Sequence, residues 1–390
     1  MISRATQGAI PLSIFLSGAA FAAIVPFSPV LGMDILGLDK STYAALMVVN
    51  GVVGTIVSVL LGNVSDRIRD RRVLVVACAL MGSLGFALIW AIQSPLIFMV
   101  VFGALMPFGN ALFSQSFAYA RALYDRHDAE RSQIIMSYLR SGFTLAWIVA
   151  PPFAGWLAAT YSTFEVFLFA ATAHFLVTLS IGATFRDPKA RIGAARQTGD
   201  RGGWASLREV PAMRWVGVGG LALCGIAMQM QMVSTPMFVV RDLGGSVAQI
   251  GFISALAALI EVPAMIAWGY VAVRIRKEHV LAIAGTVFAT YLFLLSQAQS
   301  IWMVYGLQVL AAIAIAALLS INISYLQETV PGRLGLSTSL LDVNRLVTTT
   351  VAAVIFGALP TTDFAPLLTA AAVISLCGAA ALVVAGRSNR

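Results

Sequence analysis

The sequence predicts an all-α membrane protein of twelve transmembrane helices in two pseudo-symmetric six-helix bundles. Three observations lead there. Apolar stretches of about 20 residues recur along the chain, the length a helix needs to cross a hydrocarbon layer about 30 Å thick; backbone groups in lipid find no water, so such stretches must be helical. Of the 390 residues, 59% are hydrophobic and 11% charged, and the mean hydropathy is +0.88, more apolar surface than a water-soluble core absorbs. Several features also return after about 206 residues, as parallel repeats within one chain do. A β-barrel is excluded, because its strands would show short alternating patterns.

Taken in order, the expected spans are 9–32, 41–62, 73–92, 95–120, 134–159, 163–185, 214–240, 246–273, 279–297, 301–327, 334–359 and 364–386. The first follows Arg4 and is too long for the apolar core of a signal peptide, so it reads as a retained helix. Connections are short except for the polar stretch 186–213, which divides the chain into a bundle at 1–185, a cytoplasmic linker at 186–213 and a bundle at 214–390. Segments kept in the cytoplasm carry the excess of Lys and Arg. With both termini inside, 21 of the 25 basic residues fall on that side; Lys40 and Arg241 fall outside, and Arg140 and Arg345 lie within spans.

The repeat is visible in particular residues. Gly62 to Arg72 (GNVSDRIRDRR) has a partner in GYVAVRIRK from Gly269; Gln93-Ser94 returns as Gln299-Ser300, Tyr119 as Tyr325 and Arg140 as Arg345. With its Gly62, Asp66, Arg67, Arg71 and Arg72, the first of these loops resembles the signature between helices two and three of the major facilitator superfamily of secondary transporters. Arg69 stands where that pattern has glycine, the arginine pair falls one residue late, and Val273 replaces the aspartate in the second copy. The resemblance implies a gate. Gly62 would permit close helix approach, and Asp66 would face the positive N-terminus of helix eleven, worth about 0.3–1 kcal/mol and up to about 2 when partly buried. The arginines would anchor the loop.

Three further segments resemble the bacterial sugar efflux transporter family: RSGFTLAWIVAPPFAG from Arg140, LIEVPAMIAWGY from Leu259 and YLQETVPGRLG from Tyr325. Span five also keeps Gly142, Pro151, Pro152 and Gly155 of a glycine and proline motif found in exporters, with Ala150 at a position usually held by glycine. The resemblance implies a carrier in a bacterial inner membrane that works by alternating access, its partners being a small molecule, protons and the lipid bilayer, and that functions as a monomer without cofactor or metal.

Ionisable residues inside spans are costly, about 2.5–3.5 kcal/mol each at a helix centre, and so mark functional positions. Here they are Arg140, Glu261, Asp342 and Arg345. Glu261, midway along span eight, is the first candidate for proton coupling: desolvation favours its protonated form and a nearby cation its charged form. Asp342 is the second. The superfamily's arrangement implies that Arg140 faces Glu261 and that Asp342 and Arg345, one turn apart, pair near Asn50. A sugar needs hydrogen-bonding groups and an aromatic face, and helical spacing supplies candidates in Asn110 with Ser114, Arg140 with Thr144 and Trp147, Gln231 with Thr235, and Asn322 with Tyr325.

A net charge of +8 is spread over short loops, which argues against nucleic acid as a partner. Cys78, Cys224 and Cys377 sit in apolar runs and form neither a disulfide framework nor a metal set. Neither an HExxH pair nor a nucleophile elbow occurs, so no enzyme is expected. A drug or amphiphile exporter of the same fold is the alternative, with an apolar cavity around one acid.

Overall fold

Among the described residues of the computed structural model, twelve helices are long and apolar enough to cross a membrane. The structure describes residues 3–65, 67–193, 210–329, 334–360 and 362–387, with only the backbone for Ala129 and 334–339. The helices are α1 (Arg4–Ile35), α2 (Lys40–Ser65), α3 (Arg72–Ile92), α4 (Pro95–His127), α5 (Ala129–Thr160), α6 (Thr163–Arg186), α7 (Ala212–Asp242), α8 (Val247–Ala272), α9 (Lys277–Ser296), α10 (Ile301–Thr329), α11 (Leu334–Ala358) and α12 (Ala365–Arg387). No strand occurs among the described residues. Large apolar side chains remain exposed along the helices, as a lipid-facing surface requires, and Trp302 and Tyr161, at helix ends, are 80% and 68% exposed, fitting an interfacial aromatic belt.

The chain divides into two compact units. One comprises Met1–Gln197 with Val247–Ala255, the other Thr198–Ser246 with Leu256–Arg390. Within the first, α1 packs on α5 and α6, and α3 on α4 and α6; within the second, α7 packs on α11 and α12, and α9 on α10 and α12. The pairings match helix for helix, so the repeat seen in scattered residues extends to the packing. Small residues make the closest contacts possible where no hydrophobic effect drives helices together. At Gly220, an added Cβ would sit 2.7 Å from the carbonyl of Gly378 on α12.

The first helix of each unit ends in the same way. Pro26 and Pro29 in α1, and Pro236 in α7, lack the N–H that an α-helical ladder uses. Both helices then widen into π turns, Val30–Ile35 and Phe238–Asp242. Leu36 N–H donates to Leu31 at 2.9 Å and Leu243 N–H to Phe238 at 3.0 Å. Gly37 and Gly244, with φ of 71° and 63°, then turn the chain in the left-handed region that favours glycine.

The polar stretch expected as a linker does more than connect. Its first residues fold back onto the first unit, with Ala190 and Ile192 in the core beside Val75, Leu123 and Val177. Residues 194–209 lie outside the described residues.

Candidate functional site

The signature loop is built into the first unit by Arg72, which is 2% exposed. Its guanidinium grips Asp70 in two-pronged fashion, Nε to Oδ1 at 2.9 Å and Nη2 to Oδ2 at 2.7 Å. Nη1 donates to the carbonyls of Thr184 and, at 3.2 Å, Asp187, and the group lies 4.7 Å over the Phe185 ring. A buried cation needs these partners, because charge without them is expensive in a medium of low dielectric. Arg71 N–H adds a bond to the Ile192 carbonyl at 2.9 Å. Arg67 is exposed.

Asp187 ties the same region to the start of α1, accepting from Ser3 N–H and from the Thr6 hydroxyl, each at 2.9 Å. The Ser3 N–H in the first place, then the Thr6 and Ser3 hydroxyls and the Lys189 N–H, hold its carboxyl well below the usual aspartate range. Arg72 thus joins Asp70 at the start of α3 to the residues that follow α6. Asp66, the acid of the implied gate, lies outside the described residues. At Gly62 an added Cβ would meet no heavy atom of the first unit's described residues within 4 Å. Close approach within the unit occurs at Gly155 and Gly251. A Cβ at Gly155 would fall 2.9 Å from the Ala248 carbonyl oxygen, and one at Gly251 would overlap the Pro151 carbonyl. These glycines press the first turns of α8 against the Pro-Pro segment of α5 within the first unit. Gly251 carried no sequence signal, because neither spacing nor motif singled it out.

Of the candidate polar residues in the first unit, Asn50 turns out to satisfy backbone. Its Nδ2 donates to the Phe102 carbonyl at 2.6 Å, inside the π turn Val101–Leu105 of α4, where the altered ladder leaves acceptors to be met. Asn110 is partly buried, and Ser114 is exposed, bonding the Ala111 carbonyl of its own helix at 2.9 Å. Phe113, Phe117 and Phe143 cluster beside them, with centroids 4.7 Å apart for the first pair and 4.6 Å between Phe113 and Phe143. On α5, Thr144 bonds back to the Arg140 carbonyl at 3.1 Å, and Trp147 sits edge-on to Phe21 at 5.8 Å. The Arg140 side chain is exposed, with no ion pair among the described residues of its unit.

In the second unit, Glu261 sits midway along α8, partly buried, and its carboxylate has no hydrogen bond or ion pair with the described residues of that unit. Asp342 and Arg345 are exposed on α11 and form no ion pair with each other, so the intrahelical pair expected from their spacing is not made. Gln231 and Thr235 do not stand on an open face. Together with Gln308 they gather around the buried Tyr291 hydroxyl, close to it but outside hydrogen-bond geometry. Gln229, which the sequence reading passed over, bonds Thr349 of α11 at 2.6 Å. The carbonyl oxygen of the Asn322 side chain is buried without a partner among the described residues, while Tyr325, one turn on, is buried at the end of α10. Each unit therefore carries polar groups in mid-helix that a hydrogen-bonding solute could satisfy. No group of metal-ligating side chains occurs among the described residues.

A family model, Major Facilitator Superfamily, matches residues 11–225 and 217–389. Sugar efflux transporter A of Escherichia coli is 29% identical over 357 residues, covering 90% of this chain and 88% of its own. The Multidrug resistance protein MdtG of Enterobacter lignolyticus is 27% identical over 328 residues, covering 79% of this chain and 74% of its own. The crystal structure of the nucleoside transporter NupG superposes with a TM-score of 0.74 at 14% identity, over 99% of this chain and 100% of that one, a likeness of fold. The helix count, the matched packing of the two units and the family match agree: this chain belongs to the Major Facilitator Superfamily and is a multi-pass membrane transporter, not an enzyme.

Proposed function

We propose that the chain exports small sugars or glycosides in exchange for protons, by alternating access across a bacterial inner membrane, with both termini in the cytoplasm. The observation that carries this reading is Glu261: a carboxylate halfway along an apolar helix, partly buried and without a partner among the described residues of its unit, is free to exchange a proton as its surroundings hydrate. The names of the relatives support sugar as the cargo, and the excess of Lys and Arg in the segments assigned to the inside supports the orientation.

In this reading Glu261 carries the coupling proton, with Asp342 as a second acid beside Arg345. Asn110, Ser114, Arg140, Thr144, Trp147, Gln231 and Asn322 offer hydrogen bonds and an aromatic face to the solute, Asn50 stiffens the neighbouring π turn, and the loop of Gly62, Asp66, Arg67, Arg71 and Arg72 gates. The carrier works as a monomer, its bundles spanning 1–185 and 214–390. Proteoliposomes test this directly. An imposed proton gradient accelerates sugar efflux by the native protein, and Glu261→Gln removes the acceleration while sparing sugar exchange at zero gradient. Full gradient-driven efflux by Glu261→Gln rules the coupling role out.

Export of amphiphiles is the second reading, favoured by the Phe113, Phe117 and Phe143 cluster and by the likeness to MdtG. A cationic amphiphile that is pumped while sugars neither compete nor move would favour it over sugar.

A further inference from the structure

In the first unit, the end that carries Ser3 is closed by the chain itself. Residues 184–192 lay a row of backbone carbonyls over the donors gathered there. Ala190 accepts from the Tyr119 hydroxyl at 3.0 Å, Arg191 from Arg126 Nη1 at 3.2 Å and Ile192 from Arg71 N–H at 2.9 Å, while Thr184 and Asp187 accept from Arg72. The matching end of the second unit holds a cavity of about 300 Å³ instead. Its lining includes Arg214, Arg276, Lys277, Glu278, Tyr325 and Glu328.

Tyr325 stands at the repeat position of Tyr119 and is 6% exposed, yet its hydroxyl has no hydrogen-bond partner among the described residues. It lies against Gly217 of α7, where any larger side chain would displace it. The lining has three cations and two acids. Lys277 Nζ meets Glu328 at 2.6 Å, Arg276 meets Glu278 at 3.9 Å, and one Nη1 each from Arg214 and Arg276 goes to the carbonyls of Glu328 and Gly386. A guanidinium has five N–H donors, so the cavity keeps more donors than the acceptors around it among the described residues use.

We propose that this cavity binds a phosphate-type oxyanion, with Arg214 and Arg276 neutralising its charge and the Tyr325 hydroxyl donating to it. The acceptors that the chain supplies to itself in the first unit come here from a ligand. Two sources share the chemistry, the headgroup of an anionic phospholipid and free phosphate. Guanidinium groups suit either, because their fork matches phosphate oxygens.

The full-length protein in an uncharged detergent separates them by thermal unfolding, since a ligand held by the folded state raises its melting temperature. One arm adds inorganic phosphate against chloride at equal ionic strength; the other adds phosphatidylglycerol against phosphatidylcholine. The melting temperature rises in at least one arm, and the half-saturating concentration of that probe increases about tenfold in Tyr325→Phe and in Arg214→Gln. Arg4→Gln, which removes one exposed charge from the corresponding end of the first unit, leaves it unchanged. A rise with phosphatidylglycerol alone assigns a lipid headgroup; a rise with phosphate assigns the free anion. No rise in either arm, or a rise that both cavity variants retain, overturns the proposal. Where Tyr325→Phe does not fold, Arg214→Gln decides.

Discussion

Tyr119 and Tyr325 occupy the same place in α4 and α10 and are buried alike, at 1% and 6% exposure. One donates to the Ala190 carbonyl, and the other has no partner among the described residues. A similar contrast separates Arg72, sealed under the segment that follows α6, from Arg276, whose side chain is 37% exposed at the edge of a cavity. Duplication has preserved the helices and their pairings, down to the π turns and the left-handed glycines that end α1 and α7. It has not preserved how the ends are finished. An end is finished by whichever segment lies against it, and connecting segments are free to differ where helices are not.

The widest gap between the ends lies in the arginines. Arg72→Ala strips a partly buried carboxylate and two carbonyls of their donor and is expected to cost about 3–5 kcal/mol. Arg276→Ala, in a half-exposed pair, is expected to cost under about 1 kcal/mol. Chemical unfolding in detergent compares them, and equal losses would mean that the first end is no better sealed than the second.

A smaller effect, and one of opposite sign, separates the tyrosines. Tyr119→Phe leaves the buried Ala190 carbonyl without a donor and is expected to lose about 1–3 kcal/mol. Without anion, Tyr325→Phe removes a hydroxyl that has no partner to lose, so its unfolding midpoint stays level or rises slightly. A clear loss for Tyr325→Phe in anion-free buffer would reveal a partner for that hydroxyl within the chain.

The mildest test is pH. The Asp187 carboxyl lies below the usual aspartate value of 3.8, held there first by Ser3 N–H. A lowered folded-state pKa stabilises the fold above the unfolded value and loses that stabilisation as pH falls through the folded one. The melting temperature should therefore drop below about pH 4, and Asp187→Asn should flatten the drop. Asp39 caps the start of α2 by accepting from the hydroxyls of Ser41 and Thr42 and from the Thr42 N–H. It is held down to about 2 in the same way, first by the Ser41 hydroxyl, and sets the background for that comparison.

Much of the site was legible as a set of candidates and little as geometry. Glu261, Asp342, Arg140 and Arg345 stood out because a charge inside an apolar span is costly enough to need a reason. Helical spacing then suggested that Asp342 pairs with Arg345 and that Gln231 and Thr235 share an open face. The structure forms no ion pair between the first two and turns the others toward Tyr291. Spacing along one helix fixes which residues share a face, but not what lies opposite that face. Asn50 shows the same limit: its partner is a carbonyl freed by a π turn 52 residues away.

By itself the sequence determined the membrane, the twelve helices and the twofold repeat. These follow from local physics, since lipid forces every span to satisfy its own backbone and apolar length alone sets where spans fall. Only the tertiary structure decided that Arg72 is buried, that Gly155 and Gly251 mark a close approach, and that one end is filled by its own chain while its twin holds a polar cavity. Those outcomes depend on which distant groups meet, and hydropathy along a chain carries no information about distance in space.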